Sequence, residues 1–248
     1  MYGRGQQQMR FGPPMTPPIV KQLLIANLAV FIAQRLVVEI NQYGVIVPQE
    51  FWERGYLWQP ITYMWMHAGL GHIAMNMFAL WMFGTPLAMA WGPKRFLRFY
   101  LVCGVGAGIF IATYPYFMLP FEPNGIYDHT IGASGAVYGV LLAYSLTWPE
   151  RTIALIFPPI AFRAIWLIPG LFLFSVMFSG GQNISHIGHL GGVVVAWIYM
   201  HRSGHAGALS FGQLRHKWKR YRMRQKLRAV RYEEFERKRE QDERRKFH

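Results

Sequence analysis

Apolar residues in this chain come in long unbroken runs rather than in the i, i+3, i+4 stripe of a surface helix. A helix needs about twenty such residues to cross a bilayer. Six runs match that ruler closely enough to be read as spans: 19–40, 61–83, 96–118, 132–148, 164–180 and 184–200. The segment Thr152–Phe162 is apolar as well, but Pro158-Pro159 breaks a helix, and a continuous run would bury Arg163 at mid-membrane depth. The fifth span is therefore started at Ala164, with Thr152–Phe162 left as an interfacial segment and Arg163 free to snorkel. The expected fold class is an all-α membrane protein, a bundle of six transmembrane helices.

Composition agrees: 52% hydrophobic and 16% aromatic residues are high for a water-soluble chain. Mean hydropathy is only +0.13, because a very polar tail dilutes it. From Arg202 onward there are 16 Lys/Arg against 6 Asp/Glu, so +10 of the formal +14 lies there. Basic charge abutting the last span reads as a cytoplasmic anchor beside anionic lipid; nucleic acid is not expected as a partner. An even number of spans puts both termini on that side. Lys94, Arg95 and Arg98 between spans two and three, and Arg151 and Arg163 between four and five, agree with it. The expected location is a prokaryotic cell (inner) membrane with both termini cytoplasmic. The expected division is a flexible N-terminus (1–18), a membrane domain (19–202) and a basic tail (203–248) whose part from Phe211 forms a solvated helix. Residues 1–18 are rich in Gly, Gln and Pro without an apolar core, so no cleavable leader is read there. The single Cys103 excludes an intrachain disulfide framework. The loop 41–60, with Phe51, Trp52, Tyr56 and Trp58 around Glu50, Glu53 and Arg54, is either an interfacial amphipathic segment or an ordinary loop with an aromatic belt.

Polar groups inside spans are costly and point to function. Ser134, in Gly132-Ala133-Ser134-Gly135, opens the fourth span, and His189 lies near the start of the sixth. Taken singly, each has a structural reading: Gly135-x-x-x-Gly139 and Gly192 with Ala196 are small-residue packing patterns. His72 and Asn76, spaced i, i+4 on one face of the second span, supply hydrogen-bond donors for an oxyanion or serve as interhelical glue. Spans two, four and six run in the same direction, so His72, Ser134 and His189 converge in one half of the membrane. The carboxylates outside the tail, Glu39, Glu50, Glu53, Glu122, Asp128 and Glu150, lie at span ends or in loops, so a Ser-His dyad is what the residues permit. Tyr138, one turn after Ser134, has a ring that can pack on the imidazole.

Three motifs carry a resemblance to the rhomboid intramembrane serine proteases: His67-Ala-Gly-Leu-Gly-His72-Ile-Ala-Met-Asn76, Gly132-Ala-Ser134-Gly-Ala-Val-Tyr138-Gly139 and His189-Leu-Gly-Gly192. The resemblance covers roughly residues 19–200. It implies the six-helix rhomboid-like bundle, Ser134 as nucleophile, His189 as general base, and His72, Asn76 and the Ser134 backbone N–H as the oxyanion hole. Tyr138 would stack on the base, Gly132 would allow close approach beside the nucleophile, and His67 completes the first motif. His186, one turn before His189, is a rival base that lacks the family's glycine three residues on. The resemblance further implies transmembrane-protein substrates, entry past span five, and no cofactor or metal. A zinc site built from His67, His72, His186 and His189 would lack a nearby acid as general base. A client-binding protein without activity would be expected to have lost the serine or the histidine, and a proton-coupled transporter usually buries acids in its spans.

Overall fold

The computed structural model describes residues 12–13, 15–155, 159–178, 186–203 and 223. Helix α1 (Pro18–Leu36) begins on a proline, whose missing N–H costs nothing in a first turn, and ends at the extended Val37. Short helices α2 (Val38–Gly44), α3 (Pro48–Glu53) and α4 (Gln59–Thr62) follow, and Tyr63–Trp65 adds a 3-10 turn. Helix α5 (Leu70–Ala79) continues through a π turn (Leu80–Gly84) into α6 (Thr85–Trp91), giving one rod of 22 residues. The widening has a local cause: Pro86 has no N–H for the Met82 carbonyl, and its ring crowds that oxygen.

Gly92, at φ 81°, turns the chain into α7 (Pro93–Met118), and α8 spans Ser134–Thr147. A small antiparallel hairpin pairs β1 (Thr152–Ala154) with β2 (Ala161–Arg163), and α9 (Leu167–Phe178) and α10 (His186–Arg202) complete the order. Among the described residues, three helices are long and apolar enough to cross a membrane, Pro18–Leu36, Leu70–Trp91 and Pro93–Met118; α8 and the 164–173 stretch are apolar but shorter. Exposed Ile25, Leu28 and Ile32 on α1, Val102 and Ile109 on α7, and Leu190, Val194, Trp197 and Ile198 on α10 form the apolar exterior that lipid covers and water would not.

The core is a three-helix contact of α7, α8 and α10, set by residues with little or no side chain. A methyl at Gly139 of α8 would lie 2.8 Å from Cys103 Sγ of α7 and 3.4 Å from Ala196 Cβ of α10. One at Gly106 of α7 would lie 2.7 Å from Val195, and one at Gly191 of α10 would lie 2.8 Å from Phe110. Tighter still, a methyl at Gly192 would overlap the Gly135 carbonyl. Lipid is as apolar as leucine, so close backbone approach is what drives such helices together.

The second span departs most from the hydropathy reading. It starts at Leu70 rather than near residue 61, because residues 59–65 form separate turns and Gly69 is extended at φ −170°. Within the expected interfacial segment, Thr152–Ala154 pairs with Ala161–Arg163, residues 156–158 lying outside the described residues, and Arg163 pairs with Glu150 at 3.0 Å. The chain divides into two units, Met1–His205 and Ala206–His248. Expectations for 1–11, for the junction 179–185 and for the tail fall outside the described residues, Met223 apart.

Candidate active site

Three helix starts carry the site. His72 is the third residue of α5, Ser134 the first of α8 and His189 the fourth of α10. A first turn leaves its backbone N–H groups without intrahelical acceptors and carries the positive end of the helix dipole. Ser134, His72, Tyr138 and His189 are half-buried, while Gly132, His67 and Asn76 are buried.

The segment ahead of Ser134 is held by backbone bonds. Ile46 and Thr130 exchange N–H···O bonds of 3.0 and 2.9 Å, and Gly132 N–H donates to the Tyr63 carbonyl at 3.0 Å. Tyr63, 1% exposed, anchors the other side by donating its hydroxyl to the Gly104 carbonyl of α7 at 2.8 Å. Gly132 is required for two reasons. Its φ is +129°, and a methyl there would lie 2.7 Å from His72 Cε1 and 2.8 Å from His72 Nε2. The His72 ring thus lies against the peptide two residues before Ser134.

The proton on that ring can be placed. Ala68 N–H donates to His72 Nδ1 at 3.3 Å, so Nδ1 is an acceptor, and the neutral ring carries its hydrogen on Nε2, the atom beside Gly132. Asn76 donates one amide hydrogen to the His72 carbonyl at 2.9 Å and has a second to give. The His67 ring stands edge-on to His72 with centroids 5.1 Å apart.

On the other side, α8 and α10 cross at Gly135 and Gly192, and a methyl at Gly135 would lie 3.4 Å from the Gly188 carbonyl. The residues following Ser134 and preceding His189 are therefore neighbours. One turn along α8, the Tyr138 ring lies parallel to the His189 ring, with centroids 4.1 Å apart and 9° between planes. His186 has a different neighbourhood: its ring is 6.5 Å from Phe172, and it borders a cavity of about 310 Å³ shared with Glu122, Asp128 and His129. Among the described residues, no three His, Cys, Asp or Glu side chains are grouped to hold a metal ion.

All seven residues singled out in the sequence thus sit on one frame, with Tyr138 beside His189 and Gly132 beside His72. Tyr63 and Ala68 escaped the sequence reading. A tyrosine inside an apolar stretch needs a partner for its hydroxyl, which was the available signal for Tyr63. A backbone N–H leaves no trace in a sequence.

The rhomboid domain model matches residues 54–203. RHOMBOID-like protein 12, mitochondrial, of Arabidopsis thaliana is 32% identical over 195 residues, covering 73% of this chain and 56% of that protein. Rhomboid protein 1, mitochondrial, of Saccharomyces cerevisiae is 32% identical over 139 residues, covering 54% and 38%. Rhomboid-like protein 16, chloroplastic, of Arabidopsis thaliana is 28% identical over 195 residues, covering 73% and 60%. The chain spans between about a third and three fifths of the length of the curated relatives it matches. These relatives overturn the expectation of a prokaryotic cell membrane with cytoplasmic termini, since they are named mitochondrial or chloroplastic. That expectation rested on the asymmetry of Lys and Arg, which reports a retained side of a membrane and does not identify the compartment. The chain belongs to the rhomboid family, whose members are generally intramembrane serine proteases.

Proposed function

We propose that this rhomboid-family chain is a serine endopeptidase that hydrolyses peptide bonds in or near the transmembrane segments of membrane-protein substrates, using Ser134 and His189 as a dyad. The observation that carries the reading is the Tyr138 ring stacked on His189 one turn after Ser134, which supports His189 rather than His186 as the base. Stacking fixes the plane of an imidazole for which no carboxylate among the described residues supplies orientation.

In this reading His189 accepts the Ser134 hydroxyl proton as Oγ attacks the scissile carbonyl. The new oxyanion takes hydrogen bonds from His72 Nε2–H, the second Asn76 amide hydrogen and the Ser134 N–H, the last aided by the start of α8. The protonated His189 then gives its proton to the leaving amine, and water hydrolyses the acyl-enzyme by the same steps in reverse. An intact substrate helix shields its carbonyls, so the substrate unwinds locally, and helix-breaking or small residues near the cut are expected. Six spans over 19–202, with the tail from residue 203 contacting anionic lipid, complete the proposal.

Incubating the purified protein with a fluorophosphonate probe and mapping the adduct tests the nucleophile. Modification of Ser134 supports the reading; a folded, cleaving protein modified at another serine would move the assignment.

A further inference from the structure

The turn that positions His72 is gripped by the end of α1. Gln34, 6% exposed, accepts the His67 N–H on its side-chain oxygen at 2.9 Å. Its amide nitrogen donates to Asn41 Oδ1 at 2.9 Å, and Asn41 Nδ2 donates back to the Gln34 carbonyl at 2.9 Å. The two amides fix each other's orientation: with Asn41 Nδ2 committed to a carbonyl, its oxygen takes the Gln34 nitrogen, and the Gln34 oxygen is turned to His67. The next residue, Arg35, donates to the Ala68 carbonyl at 3.3 Å. The peptides on either side of the His67–Ala68 peptide are therefore held from α1, and it is the Ala68 N–H, on the peptide between them, that meets His72 Nδ1.

We propose that Gln34, oriented by Asn41, is a positioning residue that sets the tautomer of His72. The inference rests on the protease reading above. The Ala68–His72 bond is 3.3 Å long, near the limit for an N–H···N contact, so a shift of a few tenths of an ångström in the turn breaks it. Once Nδ1 loses that donor, the ring is free to carry its proton there instead. Nε2 then presents a lone pair toward Gly132, and an oxyanion donor becomes a repulsive acceptor. Gln34 touches no substrate in this scheme, so its loss acts on turnover rather than on binding.

The test measures kcat and KM for a transmembrane peptide substrate in detergent, alongside imidazole ¹⁵N NMR of His72, for wild type, Gln34→Leu, Gln34→Glu and Asn41→Ala. Gln34→Leu keeps the volume and removes the grip. Its kcat should fall on the order of 10-fold, part of the roughly 10²–10³-fold expected for losing one oxyanion donor, with KM unchanged and a new Nδ1–H population for His72. Gln34→Glu keeps an acceptor for the His67 N–H but loses the donor to Asn41 Oδ1, so it should recover the rate only in part. Asn41→Ala, at an exposed position, should give a smaller fall of the same kind and carries the test if Gln34→Leu does not fold. A rate loss with His72 still wholly in the Nε2–H form, or a rise in KM alone, would overturn the inference, as would wild-type kcat in both Gln34→Leu and Asn41→Ala. A wild-type protein that does not cleave, or a Ser134→Ala protein that does, would instead refute the protease reading.

Discussion

Replacing Gly192 with alanine strains the closest glycine contact among the described residues, beside the proposed Ser134–His189 dyad. The added methyl would overlap the Gly135 carbonyl oxygen, an atom of the α8 backbone that no rotamer change can move aside. Relief requires α8 and α10 to separate by on the order of 1 Å, and overpacking of this kind costs about 1–3 kcal/mol. The same displacement opens the gap between the residue after Ser134 and the residue before His189, whose backbones define the site. A misplacement of about 1 Å lowers a rate by on the order of 10²-fold. Gly170 of α9 supplies the control, because a methyl there meets nothing within 4 Å. The assay is cleavage of a transmembrane substrate in detergent beside thermal unfolding: Gly192→Ala should lose about two orders of magnitude in rate and some stability, and Gly170→Ala should match wild type. Wild-type turnover by Gly192→Ala would show that the spacing of α8 and α10 does not govern the chemistry.

The stack on the base should depend on the ring and not on the hydroxyl. Tyr138→Phe should keep most of the activity, whereas Tyr138→Ala, losing a contact of about 0.5–1.5 kcal/mol, should fall on the order of 10-fold, read as initial cleavage rate. His189→Ala should be inactive and His186→Ala should retain substantial activity in the same assay; the reverse would transfer the base to His186. Truncation after Ser210 should leave a folded, active protein in detergent and in anionic liposomes, since no motif residue lies beyond it; loss of activity in both with the fold preserved would couple the tail to the site.

Much of this arrangement was legible in the sequence, because membrane solvation writes itself into long apolar runs and because a catalytic polar group cannot hide inside one. Ser134, His189, His72 and Asn76 stand out as exceptions to their surroundings; the structure has the first three at helix starts and Asn76 one turn on from His72. The second span starts later than expected since a hydropathy reading is blind to hydrogen-bond geometry: the stretch 61–65 adjoins the apolar run yet belongs to short turns, one of which fastens Gly132 through Tyr63. The π turn before Pro86 follows from one missing backbone donor and the pairing of β1 with β2 from bonds between backbones, neither of which a hydropathy average records. The grip of Gln34 on His67 joins residues 33 apart, and neither residue type announces the other. Compartment was the furthest from reach, because charge asymmetry reports sidedness alone.

The central claim is that Ser134 is the nucleophile of a protease acting within a membrane. Its most direct test is cleavage of a transmembrane substrate reconstituted with wild-type and Ser134→Ala protein in liposomes, with folding checked by thermal unfolding. Wild type should release two fragments cut in or near the substrate's span, while Ser134→Ala, lacking one hydroxyl, should fold equally well and release none. Equal cleavage by the two, or no cleavage of any transmembrane substrate by a wild-type protein that is folded, would contradict the account.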